Sequence, residues 1–386
     1  MGRRDRLVSI SITRAIFPTQ PAHDDEGPRL GLFARIWAFF AIFSLPLVRY
    51  RASLFERLRS DAWEMEEEEY LESFRSSTKS KRTDLVAVGD LGYSGSTFFT
   101  TPNSKYLIKS LPRKFEQTFF RDRLLEPYVE HMLSNKDSLL VRITDLLCSR
   151  TCTIGTAIGA APSHHIVMEN ILLAPESVKD RLIDVFKDKI KVTIDQKENL
   201  MAQLVRDSHT LQASNAVDYS LFLVRYPANL GSIGSIDDGC VGNPPGRGSS
   251  WRKGVVSRDG KWVYRAVVLD FFWAKDALQA QMLTGLVKLF NTLTFGKDYG
   301  PMSITTSSDE YRQRFLGMVD DMVEVPDSAG QPSGKVRVTT PKSSEQEKRF
   351  AFVAVCKWTI VHDAKCRDGG EGSIASLSSW YRWSKA

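Results

Sequence analysis

A chain of 386 residues with 42% apolar and 25% charged residues can bury a large core, as one big domain or two modest ones. Its formal net charge of +6 is mild and comes with no RNA-binding signature or zinc-finger spacing, so nucleic acid is set aside as a partner. The five cysteines, Cys148, Cys152, Cys240, Cys356 and Cys366, are odd in number and scattered; they fit reduced thiols in the cytosol better than a disulfide framework or a zinc site.

Residues 1–28 begin basic (Arg3, Arg4, Arg6, Arg14), continue through Pro18, Pro21, Asp24, Asp25 and Glu26, and read as a disordered leader. The apolar run from Leu30 to Val48 is interrupted by Arg35, and its unbroken part, 36–48, falls short of the ~20 residues a membrane span needs. A buried helix is expected there, with a membrane-interface helix flanked by Arg35, Arg49 and Arg51 as the alternative. Ala52 to Arg59 has a helical pattern, and Glu64 to Glu69 reads as a solvated acidic face. A basic, serine-rich linker, 76–84, leads into the most informative stretch.

From Val88 to Leu111 the pattern is strand, Gly/Ser turn, strand, tight turn, strand. Gly89, Gly92 and Gly95 let backbone amides approach a bound group, and Ser94 and Ser96 add hydroxyl donors; such a loop can cradle phosphate. In the last strand the two-residue period sets Lys109 on the same face as Leu107 and Leu111, where an ammonium calls for an anion. The plain alternative is a Gly-rich hairpin whose lysine snorkels outward.

Arg113 to Leu133 is periodic for a helix, with Pro127 as a boundary or kink, and it carries Glu116, Glu126 and Glu130 as candidates to pair with Lys109. Strands are expected at Leu139 to Cys148 and His164 to Glu169. A helix from Glu198 to Leu211 runs into Asp218, which precedes an apolar strand. The Gly/Pro-rich stretch after it is taken as a flexible insertion spanning 229–260. A strand then ends at Asp270. A helix carrying Leu278, Met282, Leu286 and Phe290 follows, and another carrying Tyr311, Phe315, Val319 and Met322. The tail from 327 to 386 is polar, apart from one apolar strand, Phe350 to Val361.

A phosphoryl transferase needs a phosphate cradle, a cation on the phosphates, a carboxylate near the attacking hydroxyl and a carboxylate for magnesium. Gly92/Gly95, Lys109, Asp218 and Asp270 occur in that order. The motifs resemble those of the phosphatidylinositol phosphate kinases over roughly residues 45–325. Gly92-Tyr93-Ser94-Gly95-Ser96 resembles the glycine loop of that family, Leu107-Ile108-Lys109 its ATP lysine, and Val167-Met168-Glu169-Asn170 the segment linking its lobes. Val217-Asp218-Tyr219-Ser220-Leu221 is similar to the catalytic Met-Asp-Tyr-Ser-Leu, Val268-Leu269-Asp270 to the magnesium-binding Ile-Ile-Asp, and Tyr311-Arg312-Gln313-Arg314-Phe315 to the closing helix.

That resemblance implies an α+β, two-lobed kinase domain at 45–326. The N-lobe would cover about 45–169 and the C-lobe about 170–326, between an N-terminal segment 1–44 and an extension 327–386. It implies ATP held by Gly92, Ser94, Gly95, Ser96, Lys109, Met168 and Glu169, Mg²⁺ on Asp270, and Asp218 as the catalytic carboxylate. The expected partner is a phosphoinositide-bearing membrane surface, met by a cytosolic, peripherally bound protein, with a homodimer left open. Two departures stand out. No Asp-Leu-Lys-Gly-Ser string lies between Asn170 and Asn215, where only Lys187, Lys189 and Lys191 offer replacement charge. After Asp270 the family's dilysine is reduced to Lys275, followed by Asp276, with Lys288 and Lys297 further on. The expected activity is a phosphatidylinositol-4-phosphate 5-kinase-like phosphoryl transfer; the alternative is a scaffold that binds nucleotide or phosphoinositide without turnover.

Overall fold

The computed structural model describes residues 2–18, 39–40, 42–75, 85–89, 96–171, 189–228, 244–275, 307–325 and 352–356. The first element is a helix, α1 (Arg3–Ile16), where a disordered leader was expected. Val8, Ile12, Ala15 and Ile16 recur with helical spacing and are buried, while Arg3, Arg4, Arg6 and Arg14 face solvent. Ser11 on the buried side accepts a hydrogen bond from the Leu45 amide (2.9 Å) and donates to the Leu7 carbonyl (2.9 Å). The stripe is only four residues wide on a polar background and becomes stable by finding an apolar sheet face to cover.

The end of the apolar run also departs from expectation. Leu47–Arg49 is a strand, β1, rather than part of a helix, with Leu45 and Leu47 buried and Phe40 and Ile42 exposed. Helix α2 (Ala52–Arg57) continues as a π-helical turn through Ala62, and α3 (Glu67–Glu72) follows. Strands β2 (Val86–Gly89), β3 (Phe98–Thr100), β4 (Tyr106–Leu111), β5 (Ile143–Ser149) and β6 (His164–Glu169) join β1 in one antiparallel sheet of order β1-β5-β6-β4-β3-β2. Between β4 and β5 lie α4 (Lys114–Phe119), a π turn at Phe120–Leu124, and α5 (Leu125–Ser134). The change of pitch falls just before Pro127, whose missing N–H suits a place in the first turn of α5. A short helix, α6 (Ile154–Ala157), links β5 to β6.

The alternation anticipated for β4 holds. Tyr106 and Ile108 pack under α1 with Leu147 and Val167, whereas Leu107 and Leu111 face the larger core. That core continues into a second set of elements: β7 (Ile190–Lys191), α7 (Ile194–Ala213), β8 (Ala216–Val217) and β9 (Ser220–Pro227), then α8 (Ser250–Lys253), β10 (Val255–Val256), β11 (Trp262–Leu269) and β12 (Trp273–Ala274). Last come α9 (Ser308–Met322), β13 (Val323–Glu324) and β14 (Phe352–Cys356). A second antiparallel sheet has the order β10-β11-β9-β14, β12 pairs with β8, and β13 runs parallel to β7. Thr193 caps α7 in a box with Gln196, each accepting the other's backbone N–H (3.3 and 2.9 Å).

The two main sheets are joined through the backbone. The Val141 amide donates to the Val268 carbonyl (2.9 Å), and the Val268 amide to the Leu139 carbonyl (2.7 Å). Asp207 of α7, fully buried, reinforces the junction. Its carboxylate accepts from the Ser138 hydroxyl (2.7 Å), the Leu139 amide (2.6 Å) and His131 Nε2 of α5 (2.7 Å). Of the expected flexible insertion 229–260, residues 229–243 lie outside the described residues, and in 244–260 Trp251 and Arg252 are buried and β10 pairs with β11. At Gly246 and Gly248 the glycines serve close backbone approach: a Cβ there would lie within 2.5 Å of a neighbouring atom. No described helix is long and apolar enough to cross a membrane.

Two predictions follow from burial. Ile12→Ala should lower the free energy of unfolding by about 2–4 kcal/mol in urea melts, as a filled core position must, whereas a disordered leader would leave it unchanged. His165 is fully buried with neither ring nitrogen hydrogen-bonded, and burial pushes its pKa down to about 3. The unfolded imidazole gains a proton as pH falls through 6.5 while the native one stays neutral, so stability is whole above pH 6.5 and drains away below it. His165→Leu should therefore reduce the acid loss, by about 3 kcal/mol at pH 4, in melts run from pH 7 to 4.

Candidate functional site

Lys109 and Asp270 arrive from different sheets and form an ion pair, Nζ to Oδ1. The Glu116, Glu126 and Glu130 candidates are not its hydrogen-bonded partners. Glu116 pairs with Arg113 (3.2 Å) and Glu126 with Arg51, because α4 and α5 present those carboxylates to their own neighbourhoods. Glu116 still lies within electrostatic reach: burial raises its pKa, opposed by the charges of Arg113 and Lys109. Lys109 is buried beside two aromatic rings, 5.9 Å from the centroid of Phe98 and 5.4 Å from that of Phe272. Ring faces and a carboxylate together offset the cost of burying an ammonium, which a lone cation would not recover.

Asp270 follows β11 directly and has φ +64°; Asp218 lies between β8 and β9, also with φ +64°. Non-glycine residues rarely adopt this left-handed region, and it clusters at working sites. The strand register sets the two interruptions opposite each other. Val217 pairs with Trp273 below the gap and Ser220 pairs with Leu269 above it. Both carboxylates are thus delivered at one level of a long antiparallel hairpin, half-buried.

Packing holds each break in place. After Asp270, Phe271 stacks on Tyr128 (6.0 Å) and Phe272 meets Phe120 edge-on (5.3 Å), which anchors the turn to α5 and the π turn before it. After Asp218, Tyr219 is enclosed by Tyr311 and Phe315 of α9 (4.7 and 5.0 Å), and the Tyr311 hydroxyl donates to the Tyr219 carbonyl (2.5 Å). The Tyr311 hydroxyl is pushed well up in pKa, first by burial and then by the negative charges of Asp218 and Asp270. It therefore stays a proton donor and reports that both carboxylates are near.

Ser96 is buried ahead of β3, where the Thr97 amide donates to Ser110 Oγ (2.7 Å). Gly92, Ser94 and Gly95 lie outside the described residues. Met168 points into the larger core. Glu169, expected at a nucleotide site, has one carboxylate oxygen engaged: Oε1 accepts from the Arg142 amide (3.0 Å) and ion-pairs with Arg252, while Oε2 is buried without a hydrogen-bond partner among the described residues. Glu67, expected on a solvated acidic face, instead ion-pairs with the buried Arg59 (2.7 Å).

The lysines offered as replacement charge also separate from the site. Lys187 lies outside the described residues. Lys189 and Lys191 are exposed at the start of α7, a 20-residue helix whose far end leads to Asp218. At 1.5 Å per residue that helix puts them roughly 30 Å away. Lys275 is closer, its amide donating to the Asn215 carbonyl (3.1 Å). Sequence reasoning did not pick out Phe272, Arg252 or the anchoring role of the Tyr311 hydroxyl. Only the Asp-Phe-Phe run after β11 hinted at the first.

A cation already occupies the Asp270 carboxylate in the form of the Lys109 ammonium, so the donor set favours positive charge there. Asp270 would hold a divalent metal accompanying an anionic ligand, and Lys109 would meet that ligand's charge. Residues 79–181 match the family model described as Phosphatidylinositol-4-phosphate 5-Kinase. The chain is 29% identical over 181 residues to a probable phosphatidylinositol phosphate kinase of Dictyostelium discoideum, covering 41% of this chain and 25% of that protein. It is 26% identical over 225 residues to a phosphatidylinositol 4-phosphate 5-kinase of Plasmodium falciparum, covering 47% of this chain and 13% of that one. The chain thus spans a quarter or less of the length of these curated relatives. The family match takes in the Gly92–Gly95 stretch, Lys109 and Glu169 and stops before Asp218 and Asp270; the fold pairs Asp270 with Lys109 and sets Asp218 at the facing break.

The local claim can be checked without any ligand. Phe272→Ala removes a ring that packs on Phe120 and flanks Lys109. It should cost about 3–5 kcal/mol in a denaturant melt, since the turn after Asp270 loses its anchor.

Proposed function

We propose that the chain is a divergent member of the phosphatidylinositol phosphate kinase family and transfers the γ-phosphoryl group of Mg-ATP to an inositol hydroxyl of a monophosphorylated phosphoinositide. The observation that carries this reading is the meeting of Lys109 with Asp270, with Asp218 at the facing break of the hairpin. Bound Mg-ATP would supply the activated phosphoryl group. Lys109 would hold its phosphates, and Asp270 would hold the metal. Asp218 would orient the attacking hydroxyl and take its proton. Strong positioning by Phe271, Phe272 and Tyr311 supports these roles, because phosphoryl transfer depends on geometry and electrostatics more than on covalent help.

The substrate of such an enzyme sits in a bilayer, so the protein would bind membranes peripherally. The exposed Arg3, Arg4, Arg6 and Arg14 of α1 support attraction to anionic lipid. The second reading, a nucleotide- or phosphoinositide-binding scaffold without turnover, is favoured by the distance of Lys189 and Lys191 from Asp218. No lysine in that described stretch stands in for the missing motif.

Mg-ATP at 100 times its Kd should stabilise the fold by about 2.7 kcal/mol, seen as a rise in Tm that Lys109→Ala abolishes. No rise at millimolar Mg-ATP in the wild type sinks the kinase reading. With radiolabelled ATP and a panel of phosphoinositide vesicles, Asp218→Asn should lose at least ~100-fold in rate, about 2.7 kcal/mol of barrier. Wild-type turnover no greater than that of the variant on every vesicle would leave the scaffold. Co-sedimentation with anionic vesicles should weaken with salt and with removal of the α1 arginines, at about 1 kcal/mol for each.

A further inference from the structure

Two buried arginines that take no part in the proposed chemistry sit where the sheets meet, and each grips the other side of the junction. Arg252, on α8, is 1% exposed. One arm of its guanidinium ion-pairs with Glu169, and the other donates to the carbonyls of Ser138 (2.7 Å) and Leu140 (2.9 Å). Arg142, just before β5, reaches back and donates to the carbonyls of Pro245 (2.5 Å) and Arg247, stacked over Trp63 at 5.6 Å. The backbone between these contacts is glycine where it has to be. A Cβ on Gly246 would lie 2.5 Å from the Trp63 carbonyl oxygen, and one on Gly248 would lie 2.4 Å from Arg142 Nη2.

We propose that residues 244–254 form a strap across the junction of the two sheets, and that Arg252 is a positioning residue setting how Lys109 meets Asp270. Ser138 and Leu140 flank Leu139, and with Val141 they form the segment whose backbone is tied to Val268, two residues before Asp270. Glu169 stands opposite Tyr106 on β4, the strand that carries Lys109. A single planar guanidinium therefore touches both the neighbour of the Lys109 strand and the crossing that holds the Asp270 strand. Its rigid fork serves three acceptors in fixed directions, which a lysine cannot do. The consequence for nucleotide rests on the reading of Lys109 and Asp270 as the phosphoryl-transfer pair; the strap itself does not.

An ordinary buried ion pair makes a different prediction from a strap. Replacing both partners of such a pair with apolar side chains of similar size is commonly neutral or stabilising. The test uses the full chain with Glu169→Met and Arg252→Met combined, and Arg252→Lys as a second variant should the first fail to fold. Hydrogen exchange is followed at the Val141 and Val268 amides, with Ile108 and Val167 in mid-sheet as controls, and Mg-ATP affinity is measured by titration. In a variant that melts with the wild type, Val141 and Val268 should exchange at least ~10-fold faster while the controls are unchanged. Mg-ATP affinity should fall at least ~10-fold. Wild-type protection at those amides, or wild-type Mg-ATP affinity, in a folded variant overturns the assignment. A wild type that binds no Mg-ATP removes the phosphoryl-transfer reading instead, and exchange at Val141 and Val268 still decides the strap.

Discussion

The candidate site exists because two sheets share backbone hydrogen bonds at Leu139, Val141 and Val268. Lys109 is carried by one sheet and Asp270 by the other, so their ion pair is set by the junction as much as by either side chain. Two backbone bonds contribute only about 1 kcal/mol each. What keeps them closed is the continuous apolar core around them, in which Leu140, Ile143, Leu204, Leu223 and Val268 are buried together. Asp207 adds direction to that core by taking hydrogen bonds from an amide, a hydroxyl and an imidazole at once.

Buried charge recurs in the same architectural role elsewhere. Asp145 on β5 is fully buried and meets Arg49 at 3.1 Å, Arg59 at 3.5 Å and the Tyr70 hydroxyl at 2.6 Å. Burial works against the charge of Arg59, but the carboxylates beside it win and its pKa is raised. The Tyr70 hydroxyl is pushed up by burial and by Asp145, so it stays protonated and donates. Such clusters add little net stability over a well-packed apolar replacement. Their strength is geometric: each fixes α2, α3 and β1 against β5 in one arrangement, and the sheet that carries Lys109 is correspondingly stiff.

The site is unevenly built. The side that would face a nucleotide has a buried lysine flanked by aromatic rings, and paired carboxylates in left-handed backbone at matching breaks. Two such residues each cost of order 1 kcal/mol or more and persist only because Phe271, Phe272 and Tyr219 are locked into the core around them. Lys189 and Lys191, by contrast, are turned to solvent just before α7 begins, away from the end that leads to Asp218. Among the described residues the arrangement of Lys109 with the two carboxylates is thus more fully specified than any row of replacement charge.

Much of this was legible from local pattern. The two-residue period of β4 set Lys109 on the core face, the helical period of Tyr311, Phe315 and Val319 marked α9, and strand ends at Asp218 and Asp270 placed both carboxylates where a chain turns. Short-range sterics and apolar periodicity decide such features, and neighbours in sequence carry them. The partner of Lys109, the burial of α1, the ordering of residues 244–254 and the diversion of Glu169 to Arg252 were decided only by tertiary structure. In each case the deciding contact joins residues far apart in the chain. The cost of burying a charge or leaving an apolar stripe in water is then resolved by whichever complementary surface the fold brings near, and no local pattern encodes that choice.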